Sequence, residues 1–208
     1  MKLQDLTLKQ FIEKVAANEA VPGGGSCAAQ SAAIGTALIE MMANLTIGKK
    51  KYIDVEDRMK EIVAVMSENR VHFINDIDRD ADSYRLVMNA YRLPKETDQE
   101  IALRKDKIEE ATKTASLVPM EVAERAYNLF DTMIETMHKG NSNTVTDGLV
   151  GVMTCRTAIM GALQNVKINL SGIKDKEFVA KLSEKCNHIE KSVLEKEMEA
   201  INWVKTQY

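Results

Sequence analysis

The segment Pro22-Gly23-Gly24-Gly25-Ser26 places three glycines ahead of a helix start, where unpaired N–H groups and the positive end of a helix dipole can face an anion. No Gly-Lys-Ser/Thr follows it and no strand precedes it, so it is neither a Walker loop nor a dinucleotide fingerprint. A flexible turn capped by Ser26 accounts for the same residues equally well. The acidic run Asp76-Ile77-Asp78-Arg79-Asp80-Ala81-Asp82 fails as a calcium loop, because an EF-hand starting at Asp76 requires glycine and glutamate where Ala81 and Val87 stand. Helical phase says more. Phe73, Ile77, Asp80, Tyr84, Met88 and Tyr91 fall on one stripe, which puts Asp80 on the apolar face and turns Asp78 and Asp82 aside as solvated charges. A carboxylate on such a face costs stability unless it is paired or used, so Asp80 is the candidate functional residue, and a buried aspartate held by a structural hydrogen bond is the alternative.

Asp147 lies just inside a nearly uncharged helix, where an acid on the helix dipole and a functional group are equally good readings. Lys49-Lys50-Lys51 follows Gly48 at a helix end and reads either as a solvated run or as a site for a polyanionic tail. Asn165 and Asn169, four apart, share a helical face and can read amide-like groups or cap a helix end. His72, His138 and His188 are isolated, so no metal is expected, and no Ser-His-Asp or Cys-His set assembles.

The elements that must position these residues are helical throughout. Only Pro22, Pro94 and Pro119 interrupt a chain with almost no alternation of period two, which predicts an all-α fold. Thr7-x-x-Gln10 is a capping box ahead of the stripe Leu8, Phe11, Ile12, Val15 and Ala16. Ser26 is expected to cap a helix running to about Ile47, and Asp54 to open a long one reaching about Arg92, stopped by Pro94. Thr97-x-x-Glu100 opens the next, Pro119 starts or kinks another, and Gly140 closes it. The last two run from about Thr144 to the Asn165 region, and from Asp175 with Phe178, Leu182, Cys186, Ile189 and Val193 inside. The spans Ser26 to Asn44 and Thr146 to Leu163 carry mostly Ala, Gly, Ser, Thr and Met, and read as the buried centre of a bundle or as a subunit interface.

A chain of 208 residues with 45% hydrophobic and 28% charged content can bury one sizeable core without staples. A net charge of −3 offers no broad positive field, so neither nucleic acid nor membrane is expected as a partner. Cys27, Cys155 and Cys186 are odd in number and scattered, and the amino terminus carries charges where a signal peptide needs an apolar run. A cytoplasmic location is the expectation.

Taken together, Pro22 to Ser26, Leu45-Thr46-Ile47-Gly48-Lys49-Lys50-Lys51-Tyr52, Asp80-Ala81-Asp82-Ser83-Tyr84 leading into Arg92-Leu93-Pro94-Lys95, Gly140-Asn141, Thr146-Asp147 and Asn165-Val166-Lys167-Ile168-Asn169-Leu170 resemble the cyclodeaminase family of folate enzymes. That family includes the carboxy-terminal domain of formiminotransferase-cyclodeaminase and stand-alone relatives, some of them methenyltetrahydrofolate cyclohydrolases. The resemblance spans nearly the whole chain. It implies a single-domain, elongated helical bundle with long central helices, homodimeric, with Asp80 and Asp147 in catalytic positions. Pro22, Gly23, Gly24, Gly25, Ser26, Lys49, Lys50, Tyr84, Asn165 and Asn169 would then bind the substrate. The substrate would be a tetrahydrofolate derivative, with or without a polyglutamate tail, and no separate cofactor is implied. Transfer of the formimino group from formiminoglutamate is not expected. Cyclodeamination and cyclohydrolysis share the same electrophilic carbon, so motifs do not separate them, and a helical, oligomer-forming interaction module is the non-enzymatic alternative.

Overall fold

Local signals set the starts of three of the six α-helices in the computed structural model, which describes residues 1–207. Thr7 accepts from Gln10 N and receives its side chain in return, opening α1 (Leu8–Val15). The same reciprocal box at Thr97 and Glu100 opens α4 (Asp98–Lys139), and Asp175 accepts from Phe178 N to open α6 (Lys176–Val204). Between these lie α2 (Gly24–Asn44), α3 (Glu56–Tyr91) and α5 (Val145–Leu170), and no strand occurs among the described residues.

The two small-residue helices, α2 and α5, form the centre. They pack on each other, with α3 against α2 and with α4 and α6 against α5. Backbone approach is close: a Cβ on Gly35 would stand 2.8 Å from Gly151 O, and one on Gly151 would stand 3.1 Å from Gly35 O. Flexible thioethers contribute to the surrounding core, where Met42, Met59, Met66, Met133 and Met137 are all buried. α2 and α5 are nonetheless not enclosed on every side. Ile34 and Met41 of α2 and Val150 and Met153 of α5 are exposed on a face where the helices' few charges are tied inward, Glu40 to Arg70 and Arg156 to Glu197.

Several boundaries depart from the sequence reading. α2 begins at Gly24 with Gly23 as its cap, so Ser26 lies inside the first turn and its hydroxyl is free for other work. Asp54 belongs to a short 3-10 segment, Lys50–Val55, and α3 starts after it. On α1 only Phe11 is buried, while Leu8, Ile12 and Val15 are exposed. Pro119 neither starts nor divides a helix: it is buried within the continuous 42-residue α4. Its missing N–H leaves Ala115 O without its helical donor, and Asn169 Nδ2 supplies one at 2.8 Å from α5. α5 runs on past Asn165 to Leu170.

Candidate functional site

The apolar stripe of α3 changes character at Asp80. Phe73 and Ile77, before it on the stripe, are buried, whereas Tyr84 and Tyr91 beyond it are exposed. The Asp80 carboxylate sits against the first turn of α2. Ser26 Oγ is 2.9 Å from Asp80 Oδ2 and 2.9 Å from Ile77 O, so one hydroxyl proton faces two acceptors. A protonated Asp80 resolves the conflict by donating to Ser26 Oγ while Ser26 donates to Ile77 O. An ionised Asp80 takes the Ser26 proton instead. Burial pushes the Asp80 carboxyl above the usual aspartate range, outweighing the Ser26 hydroxyl and backbone amide, which pull it down. The neighbouring Cys27 thiol is raised as well, first by burial and then by the Asp80 charge.

The glycines fit around this carboxylate. A Cβ on Gly25 would lie 2.0 Å from Asp80 Oδ1, so only glycine lets the helix start approach so closely. A Cβ on Gly24 would meet Asn165 Nδ2 at 3.2 Å, which places Asn165 at the same site, its Nδ2 donating to Gly161 O on its own helix. None of Gly23, Gly24 and Gly25 has positive φ, so close approach rather than an unusual dihedral explains them. The segment before them, with Pro22 in a cis peptide bond, lines an open cleft of about 320 Å³ through Glu19, Ala20 and Val21. Tyr84, Arg85, Met88 and Asn89 of α3, with Arg92 at its C-cap, form its other wall. Asn169, one turn further along α5, donates its Nδ2 to Ala115 O at 2.8 Å, a structural use of that amide nitrogen.

The other aspartates of the run divide differently from the sequence expectation. Asp78 is not a free surface charge, since its two oxygens accept from Leu3 N at 2.8 Å and Gln4 N at 3.1 Å and so tie down the amino terminus. Asp82 does face solvent and pairs with Arg85. Asp76, which helical phase did not single out, is almost completely buried. Arg79 Nη1 meets its Oδ1 at 2.6 Å and bridges through Nη2 to Glu121, while Oδ2 has no partner. The i,i+3 spacing of Asp76 and Arg79 was the available signal.

Lys49, Lys50 and Asp147 lie at the other end of α2. A Cβ on Gly148 would touch Met137 and Met42, and Asn141 binds Leu45 O and Thr46 Oγ1, so the start of α5 adjoins the end of α2. Tyr52 is fixed there: Ser142 N donates to its hydroxyl at 2.9 Å, Ser142 Oγ lies at 3.1 Å, and Lys51 sits over its ring. These contacts with Ser142 pull the phenol down to about 8. The 20 residues between Gly25 and Leu45 amount to roughly 30 Å of helix, so one chain does not bring Asp147 and the lysines to Asp80. Among the described residues no His, Cys, Asp and Glu side chains cluster as metal ligands, and no helix is long and apolar enough to cross a membrane.

The chain is thus an all-helical bundle with a desolvated carboxylate held against a glycine-rich helix start. The family model described as formiminotransferase-cyclodeaminase matches residues 7–188. A methenyltetrahydrofolate cyclohydrolase from Methylorubrum extorquens is 38% identical over 172 residues, 83% of each chain. The formimidoyltransferase-cyclodeaminase of Mus musculus is 32% identical over 93% of this chain, which spans 35% of that longer protein. The crystal structure of formiminotetrahydrofolate cyclodeaminase from Thermotoga maritima superposes with a TM-score of 0.88 at 29% identity, covering 99% of this chain and 98% of that one. The chain belongs to the formiminotransferase-cyclodeaminase family, and it is an enzyme.

Proposed function

We propose that the chain acts on the one-carbon unit of a tetrahydrofolate, converting the 5-formimino derivative to the methenyl derivative and ammonia. The observation that carries this reading is the raised, Ser26-bonded Asp80 carboxyl, one helical turn before the cleft wall that begins at Tyr84. In the reaction N10 attacks the carbon of the formimino group, which is protonated on its nitrogen, and the adduct holds an acidic N10 proton and a poorly leaving amine. Asp80 takes the proton from N10 and delivers it to the amine. Ammonia leaves, the positive charge moves onto the N5–C–N10 bridge, and Asp80 is again a carboxylate, now facing the cation. A carboxyl raised by burial is suited to both halves of that transfer, and Ser26 satisfies it in both protonation states.

The identity to the Methylorubrum cyclohydrolase favours a second reading, in which water adds to the methenyl carbon and the ring opens to the formyl derivative. There Asp80 would act as the base for water. Supplying the purified chain with formimino-tetrahydrofolate and, separately, with methenyl-tetrahydrofolate, and following the methenyl absorbance, decides between them. Absorbance rises with the first substrate under cyclodeamination and falls with the second under cyclohydrolysis. A chain inert toward both overturns both reactions.

The working unit under this proposal is a two-fold dimer formed through the face of α2 and α5 that exposes Ile34, Met41, Val150 and Met153. With the axis perpendicular to α2, the Lys49, Lys50 and Asp147 end of one copy meets the Asp80 end of the other. Both halves of the family's motif set then serve one site, and the lysines take a polyglutamate tail.

A further inference from the structure

The cleft beside Asp80 has an unbalanced charge. It is bounded by Glu19, Ala20 and Val21 on one side and by one face of α3, Tyr84, Arg85, Met88 and Asn89, with Arg92 at its C-cap, on the other. Glu19 is bound by Lys14 at 2.9 Å, and Arg85 pairs with Asp82. Arg92 has no ion-pair partner among the described residues, and it sits exposed at the end of α3. The near part of the wall is different in kind, formed by the aromatic ring of Tyr84 and the half-buried thioether of Met88. Proceeding away from Asp80, the cleft therefore offers an apolar surface for a ring and then a free guanidinium for an anion.

Its length fits a particular shape of ligand. Asp80 and Arg92 are 12 residues apart on one helix, or roughly 18 Å of rise, and an arginine side chain leaning back toward the helix start shortens the gap to about 12 Å. Covalent geometry puts the glutamate carboxylates of a folate about 10 Å from its one-carbon unit, with the benzoyl ring between them.

We propose that this cleft holds the p-aminobenzoyl-glutamate arm of the folate, with the ring against Tyr84 and Met88 and a glutamate carboxylate paired with Arg92. This rests on the folate reading above and makes Arg92 a specificity residue: it distinguishes ligands that carry glutamate from those that end at the benzoate. Lys49 and Lys50 take only later residues of a polyglutamate, beyond the first.

The test is calorimetric binding of tetrahydrofolate and of tetrahydropteroate, which lacks the glutamate, to the wild-type chain, to Arg92→Gln and to Arg92→Lys. The wild type should prefer tetrahydrofolate by about tenfold or more, Arg92→Gln should abolish the preference while holding tetrahydropteroate within about twofold, and Arg92→Lys should keep part of it. Helical content by circular dichroism should be unchanged, because Arg92 is exposed. The proposal is overturned if Arg92→Gln keeps the wild-type preference, weakens both ligands equally, or if the wild type shows no preference. Turnover separates the two claims. A wild type that binds with the Arg92-dependent preference yet converts neither the formimino nor the methenyl derivative refutes the reaction and leaves this assignment standing. Normal turnover with an undiminished preference in Arg92→Gln does the reverse, and a wild type that binds neither ligand refutes both.

Discussion

A Cβ on Gly25 would stand 2.0 Å from Oδ1 of Asp80 and 2.5 Å from its Cγ, so the start of α2 and the carboxylate of α3 occupy space that only a glycine leaves open. Gly25→Ala is expected to push Asp80 off Ser26, lower turnover and cost about 1–3 kcal/mol of stability. In an Asp80→Ala background the same glycine substitution should be nearly neutral. Urea denaturation of the four chains measures the coupling, and additive effects would mean that the two residues do not share this space.

The glycine requirement at position 25 was visible in the sequence only as a glycine-rich turn, with Gly24 no more distinguished than Gly25. Which one is indispensable depends on the approach of α3, a contact between residues more than 50 apart in the chain. Asp80 was legible because periodicity alone places it on an apolar stripe. The capping boxes at Thr7 and Thr97 were legible because both partners of each lie within one turn. Pro119 was not, because its tolerance inside α4 depends on an amide from α5. The depth of Asp76 and the hold of Asp78 on Leu3 and Gln4 were hidden for the same reason, since each depends on a distant segment.

Asn169 and Pro119 form a second pair that mutation can test. Asn169→Ala strips Ala115 O of its donor in a half-buried setting, and the expected loss is about 1–3 kcal/mol with turnover per folded molecule unchanged. Pro119→Ala restores a helical N–H, so the double variant should recover much of the loss. Loss of folate affinity without loss of stability would return Asn169 to the substrate-binding role.

Ser26→Ala removes a hydroxyl that lowers the Asp80 pKa against the effect of burial. If ionised Asp80 is the base, activity falls as pH drops through its pKa, and the variant's acid limb should move to higher pH. Stability follows from the same sign. The folded carboxyl binds its proton more readily than the unfolded one, so stability declines as pH rises through the window between the ordinary aspartate value and the raised one. Replacing Asp80 by Asn should therefore stabilise the chain at neutral pH and lose that advantage in acid. An acid limb that stays put in Ser26→Ala would dissociate the hydroxyl from the titrating group.

Mixed dimers test whether two copies build one site. Asp80→Asn and Asp147→Asn chains, each of low activity alone, form heterodimers with one fully native site when the residues come from different copies. Random mixing should restore about a quarter of wild-type activity. Strict additivity of the two residual activities would assign both residues to separate tasks within one chain or leave Asp147 outside the site.

The most direct measurement is turnover of Asp80→Asn against Asp82→Asn, with folate binding followed separately. Asp82 faces solvent beside Arg85 and is the appropriate control, whereas Asp78 anchors the amino terminus and is not. Asp80→Asn should remain folded, bind tetrahydrofolate normally and lose turnover by about a hundredfold or more, while Asp82→Asn stays close to wild type. Near-normal turnover in Asp80→Asn, or equal losses in both variants, would contradict the assignment of Asp80 as the group that moves the proton.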